Sequence, residues 1–151
     1  MAQAIAAYLH YLSIFLLFSL LVLEHRLFKL PLDLGRARSL IRVDIAYGLS
    51  AGLVLATGLA RVLWYGKGTE YYLKNSLFHA KIGLFILVAL LSALPTFVFL
   101  NWRNELKAGQ VPQVSPKTAK LVIMAIRLEL LLALVIPLLA ALMARGFGVI
   151  S

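Results

Sequence analysis

Four long apolar stretches limit what this chain can fold into more than any other feature. They cover residues 4–23, 43–64, 77–100 and 119–144. Bilayer hydrocarbon is about 30 Å thick, and a helix needs roughly 20 apolar residues to cross it. Only 14% of the 151 residues are charged, whereas a water-soluble domain carries about 25%. We therefore predict an all-α integral membrane protein, a four-helix bundle of up-down topology that forms a single domain over residues 1–151 and contacts the lipid bilayer.

The first apolar stretch also resembles a secretory signal peptide in its position. It lacks a positively charged start, however, and it ends in Glu24-His25-Arg26 without the small residues that precede a cleavage site. We interpret this stretch as a retained first helix.

The distribution of basic residues predicts the orientation in the membrane. The first and third connections carry nine of the 15 Lys and Arg residues, namely Arg26, Lys29, Arg36, Arg38, Arg42, Arg103, Lys107, Lys117 and Lys120. The opposite side carries Arg61, Lys67, Lys74 and Arg145. Because basic loops stay on the cytoplasmic side, we expect both termini on the outer side, which is the periplasm for the predicted location in a bacterial inner membrane.

The net charge of +9 does not indicate nucleic-acid binding, because no basic run alternates with aromatic residues as a single-strand-binding surface requires. The chain has no cysteine, which excludes disulfides, thiolate metal sites and covalent haem attachment. Any haem would be held non-covalently.

A small-residue face in the second span favours close helix packing. Gly48 and Gly52 form a G-x-x-x-G pair, with Ala56 one turn further, and such pairs let helix backbones approach each other. The face either packs inside the bundle or forms a homo-oligomer contact.

Ionisable side chains inside the spans are costly in lipid and are therefore candidates for function. Within the spans these are His10, Lys81, Arg127 and Glu129, and near the span ends His25, Asp44 and His79. Trp64, Tyr65, Tyr71, Tyr72 and Trp102 cluster at span ends, as expected of an interfacial aromatic belt.

His10 and His79 are predicted to lie at similar depths. His10 is roughly 9 Å below the outer surface at the rise of an α-helix, and His79 lies in the first turn of the third span, which runs parallel to the first. Two imidazoles that face each other across a bundle bind a b-type haem iron. The alternative is two separate histidines, each hydrogen-bonded to a carbonyl.

Three further side chains have open interpretations. Lys81 either reaches the outer surface or pairs with an anion such as a haem propionate. Glu129 is about 15 Å deep and needs a partner or a proton, so it is either an ion pair or a proton relay. Arg127, two residues away, does not face it. His25, among Glu24, Arg26, Arg42 and Asp44, indicates a juxtamembrane ion-pair cluster, with a second haem or a quinone site as the alternative.

The segments YLHYLSIF, FHAKIGLFILVALLSALPTFVF and RLELLLALVIPLLAALMARG resemble those of a family of four-helix bacterial membrane proteins labelled a domain of unknown function. More distantly, the chain is similar to the HemJ-type protoporphyrinogen oxidase and copper-resistance-D-like group. His10, Arg26, Lys81 and Glu129 match positions of the oxidase family. The resemblance implies haem b, with a role for His10 and Lys81 at the haem.

Two features depart from the oxidase pattern. The fourth span reads Leu128-Glu129-Leu130-Leu131 without the Asn and Pro of that family, and Leu91-Ser92-Ala93 stands where a later histidine is expected. The resemblance therefore implies a shared architecture and haem pocket rather than a shared substrate.

The leading hypothesis is a haem-b-binding electron-transfer protein or oxidoreductase acting on a porphyrinogen or quinol. In this hypothesis His10 and His79 are the axial ligands, Arg26 and Lys81 assist in cofactor binding, and Glu129 and Lys81 are the catalytic candidates. The alternatives are a non-catalytic accessory subunit of a respiratory or transport complex, and an ion or proton carrier that uses Glu129, Lys81 and Asp44.

Overall fold

The structure, a computed structural model, describes residues 1–64 and 68–149. Tyr65, Gly66 and Lys67, which the sequence assigns to the second connection, lie outside the described residues. The helices are α1 (Ala2–Leu27), α2 (Leu34–Leu63), α3 (Thr69–Leu73), α4 (Ser76–Leu100), α5 (Arg103–Lys107) and α6 (Pro116–Ala144). The described part of the chain forms no strand, and the all-α prediction is confirmed.

Four of these helices, α1, α2, α4 and α6, are long and apolar enough to cross a membrane. Each overlaps one predicted span, but α2 begins at Leu34 rather than at residue 43 and ends at Leu63, one residue before the predicted end. The Asp33 carboxylate accepts a hydrogen bond of 2.7 Å from the Arg36 backbone N–H and so caps the helix. Pro31 and Gly35 in the sequence predict a break in the helical structure of this segment, but the helix already includes Gly35.

The long helices form two antiparallel hairpins. In the first hairpin α1 packs along α2, and in the second α4 packs along α6. Contacts between the hairpins are less extensive and run from α1 to α6 and from α2 to α4. We call the side where α1 and α4 begin the terminus side, and the side where they end the basic-loop side.

The apolar core lies in the basic-loop half of the bundle. Its fully buried members include Leu21, Leu40, Phe99, Val122 and Ile126. Trp102 is only 5% exposed and its ring lies 5.0 Å from that of Phe99, centroid to centroid. The prediction that Trp102 belongs to an interfacial belt is therefore wrong, because its ring fills the space between the ends of α1 and α4, where it stacks on Phe28.

Large apolar side chains cover the outer surface of all four long helices. Phe15, Leu49, Leu90 and Leu134 are each exposed on a different helix. Such continuous apolar surface is unstable in water and matches the hydrocarbon of a bilayer, so these faces contact lipid.

The hairpins separate toward the terminus side. On α2 no residue beyond Ser50 is buried, and on α6 only Met143 is buried after Glu129. An open cavity of about 190 Å³ lies between α2 and α4, with Tyr47, Gly52, Phe85 and Ser92 in its lining.

The small-residue face of α2 borders this cavity. A Cβ atom built on Gly48 or on Gly52 meets no other atom within 4 Å among the described residues. The prediction that this face packs closely against another helix of the bundle is therefore wrong, because the hairpins are apart at this level. The homo-oligomer contact stays a prediction.

Candidate functional site

Three carboxyl groups from three helices lie together inside the basic-loop half of the bundle. Glu24 of α1 is 1% exposed, Asp44 of α2 is 7% exposed and Glu129 of α6 is 1% exposed. They are close enough to interact electrostatically with one another. These residues, which we call the carboxyl cluster, make up half of the six acidic residues of the chain.

Hydrogen bonds connect the carboxyl cluster to two neighbouring hydroxyl groups. Thr96 Oγ1 on α4 donates to Asp44 Oδ2 over 2.7 Å, and the Tyr47 hydroxyl on α2 donates to Glu129 Oε1 over 3.3 Å. The carboxyl groups of Glu24 and Asp44 are near enough to interact with each other.

Two oxygen atoms of the cluster have no hydrogen-bond partner among the described residues. These are Oε2 of Glu24 and Oε2 of Glu129, and both are buried. A buried polar atom without a partner costs about 1–3 kcal/mol. The cluster therefore has unused capacity to hold a proton or a water molecule.

Basic side chains do not neutralise the cluster. Within residues 1–64 and 68–149 the one ion pair joins Lys74 to Glu70 on the surface. Arg127, predicted not to face Glu129, donates instead from Nε to Nε2 of His25 over 3.4 Å.

The juxtamembrane ion-pair cluster predicted around His25 is wrong. Arg26 and Arg42 are exposed, whereas Glu24 and Asp44 turn into the bundle. The physical reason is the helical rotation of 100° per residue, which sends neighbours in sequence to different faces. Arg26 thus lies apart from the interior site.

Tyr47 connects the carboxyl cluster to the open cavity between the hairpins. Its side chain lines that cavity, and its hydroxyl group donates to Glu129. The cavity opens on the surface between α2 and α4. A small solute that enters the cavity therefore meets Tyr47 next to Glu129.

The two histidines proposed for a haem iron have different surroundings. The His10 Nδ1 atom lies 2.7 Å from Thr57 Oγ1, and the ring packs against Gly58 of α2. His79 is exposed, with its Nε2 atom 2.8 Å from the Leu73 carbonyl oxygen.

No contact joins these two rings within the described chain, and axial ligation of one iron by both histidines stays a prediction. Lys81, by contrast, lies within electrostatic reach of His10. A haem stays a prediction from the resemblance.

Sequence reasoning missed the assembly of the cluster and both of its hydroxyl partners. Glu24 is only three residues from the end of α1, and this position suggested that its side chain lies at the membrane surface. One signal was available, because Asp44, Tyr47 and Ser50 recur at intervals of three and share one face of α2.

The described residues hold no group of three His, Asp or Glu side chains that is suited to a metal ion.

A family model described as "Predicted membrane protein (DUF2214)" matches residues 2–148 of the chain. Neither the curated proteins nor the solved structures contain a match.

Proposed function

We propose that this chain, which belongs to the predicted membrane protein family DUF2214, takes up and releases protons at the carboxyl cluster as a proton carrier. One observation carries the proposal: three carboxyl groups lie together inside a membrane-spanning bundle, at least 93% buried, without a basic partner in the described chain.

The repulsion between buried carboxylates favours protons at this site. Two like charges interact by about 4 kcal/mol at 4 Å with an effective dielectric constant of 20. The surrounding side chains of Leu21, Leu40 and Ile126 are apolar and fully buried, so little screening is available. Three negative charges cannot coexist there at low cost, and a proton is the smallest ligand that removes one of them.

A route for the proton is available on one side of the cluster. Tyr47 lines the cavity between α2 and α4, and its hydroxyl can pass a proton to or from Glu129. On the other side, packed rings of Phe28, Phe99 and Trp102 close the bundle. Proton release toward the basic-loop side then requires movement of one hairpin relative to the other.

The test is proton flux in vesicles of defined lipid that contain the purified chain and a trapped pH-sensitive dye. A membrane potential set by potassium and valinomycin drives the flux. We expect wild-type protein to acidify the vesicles and Glu129→Gln, which keeps the size of the side chain, to reduce the rate to that of empty vesicles. The matched control is Glu105→Gln, because Glu105 is exposed in α5.

Flux that survives Glu129→Gln, or wild-type flux equal to that of empty vesicles, would refute the carrier. Equal loss in Glu105→Gln would also contradict it, because that variant changes the same chemical group outside the bundle.

A haem-b oxidoreductase is the second proposal. It rests on the resemblance at His10 and Lys81, and it is favoured by the buried position of His10 together with the proximity of Lys81. Haem would supply electron transfer, with His10 as one axial ligand and Lys81 as a cation for a propionate. We expect Soret absorption in purified protein that is lost in His10→Ala and retained in His79→Ala. Protein expressed with ample haem but without this absorption contradicts the proposal.

A further inference from the structure

Three basic side chains from three helices gather in the terminus half of the bundle. They are His10 of α1, Arg61 of α2 and Lys81 of α4, and we call them the basic site. Lys81 and Arg61 each interact electrostatically with the His10 imidazole, and Arg61 interacts with Lys81. His10 is buried, and the other two side chains are partly buried.

No acidic side chain balances this positive charge. Of the six acidic residues, Glu70 alone belongs to the terminus side, where it is exposed and paired with Lys74. In the part of the chain that the structure describes, no carboxylate lies within ion-pair distance of Arg61 or Lys81. Two like charges held together near hydrocarbon repel each other and lose hydration. A bound counterion would therefore stabilise the site.

Arg61 also has an unused hydrogen-bond donor that faces away from water. Its Nε–H is buried, and no acceptor among the described residues reaches it. The guanidinium lies 5.5 Å from the centroid of the Tyr11 ring, which fixes its position. A planar guanidinium matches the oxygen atoms of a carboxylate or phosphate group, and buried donors in native proteins nearly always have a partner.

We propose that the basic site binds a small anion that carries a carboxylate or phosphate group. The anion accepts hydrogen bonds from Arg61 and Lys81, and His10 lines the site from α1. Thr57 and Gly58 hold the imidazole in place, because the Thr57 hydroxyl donates to the Leu53 carbonyl and leaves its oxygen to accept from His10.

Binding at the basic site is independent of the carboxyl cluster. The two sites lie in opposite halves of the bundle and share no side chain. A carboxylate or phosphate group can belong to a free solute or to the head group of an anionic lipid. The experiment distinguishes these two sources.

The experiment is isothermal titration calorimetry on the full chain, delipidated in a non-ionic detergent. The titrants are inorganic phosphate, acetate and micelles that contain phosphatidylglycerol, with sodium chloride of equal ionic strength as the reference. We expect saturable binding of one or more of the three titrants to wild-type protein. Phosphate or acetate binding identifies a free anion, and binding of phosphatidylglycerol alone identifies a lipid head group.

Arg61→Gln and Lys81→Gln are each expected to weaken the binding by about tenfold or more, since each removes a charge-assisted hydrogen bond. Lys74→Gln is the matched control, because this lysine lies at the same side in an exposed ion pair, and it should bind like wild type. Glu129→Gln should also bind like wild type, so this inference and the proton carrier can fail separately.

Arg61→Lys is the control for misfolding, because it keeps the positive charge and replaces the planar guanidinium with an ammonium group. Its binding should be intermediate between wild type and Arg61→Gln. The proposal is overturned when no titrant binds wild-type protein, when Lys81→Gln binds as wild type does, or when Lys74→Gln weakens the binding as much as Lys81→Gln.

Discussion

The two halves of the bundle differ in packing and in the sign of their interior charge. The basic-loop half contains the apolar core and three buried carboxyl groups. The terminus half has few buried side chains, and its interior charge is positive, from Arg61 and Lys81 near His10. In both halves, polar side chains occupy positions where lipid would penalise them.

The two halves also differ in where their polar side chains find hydrogen-bond partners. In the basic-loop half, contacts between helices provide most partners, as Thr96 does for Asp44 and Tyr47 for Glu129. In the terminus half, His10 bonds to Thr57 within the first hairpin, and in the described chain no hydrogen bond or ion pair between the hairpins involves Arg61 or Lys81. A tightly packed half favours a proton as ligand, whereas an open half has room for a larger solute.

The largest expected effect is on the packed half. Phe99→Ala should lower the free energy of unfolding by about 3–5 kcal/mol, because it leaves a cavity beside Phe28 and Trp102. The measurement is helicity against the mole fraction of sodium dodecyl sulfate in mixed micelles. Phe97→Ala is the control, because Phe97 on the same helix is 68% exposed to lipid. Similar losses in both variants would remove the contrast between a packed interior and a lipid-facing surface.

A smaller effect is expected for one of the hydrogen bonds that join the hairpins, the bond from Thr96 to Asp44. A double-mutant cycle of Asp44→Asn and Thr96→Val should give a coupling of about 1–2 kcal/mol, since the pair shares a 2.7 Å bond. Ser92→Ala is the control, because Ser92 lies one turn before Thr96 and donates to Ala89 within its own helix. We expect no coupling between Ser92→Ala and Asp44→Asn. A Thr96 coupling near zero would mean that this bond does not hold the hairpins together.

The smallest effect concerns the terminus half. There the hairpins are apart, but within the first hairpin His10 of α1 packs against α2. Gly58→Ala brings its Cβ to 3.2 Å from His10 Cε1, whereas Gly52→Ala meets no atom within 4 Å in the described chain. Gly58→Ala should therefore be about 1 kcal/mol less stable than Gly52→Ala, because crowding opposes the helix propensity of alanine. The same detergent titration measures both variants. Equal stability would show that the imidazole can move, and that His10 is not fixed against Gly58.

The sequence predicted the fold more fully than the site. The four spans follow from the length of apolar runs, and the error at the start of α2 came from giving Gly35 more weight than the cap at Asp33. The depth of Glu129 was predicted from residue spacing, but its partner Tyr47 was not, since the rotation of one helix against another cannot be read from either helix alone. Arg61 was treated as a loop charge, because its position near the end of α2 suggested solvent.

Composition and hydrophobic pattern by themselves determined that this chain forms transmembrane helices in lipid, because hydrocarbon leaves apolar segments of this length no other stable backbone structure. They did not determine how the helices pair along their length. Only the tertiary structure decided that the hairpins meet in one half and separate in the other, and that the acids and bases lie in different halves. The reason is that partners of buried polar atoms come from other helices, at distances fixed by packing rather than by spacing in the chain.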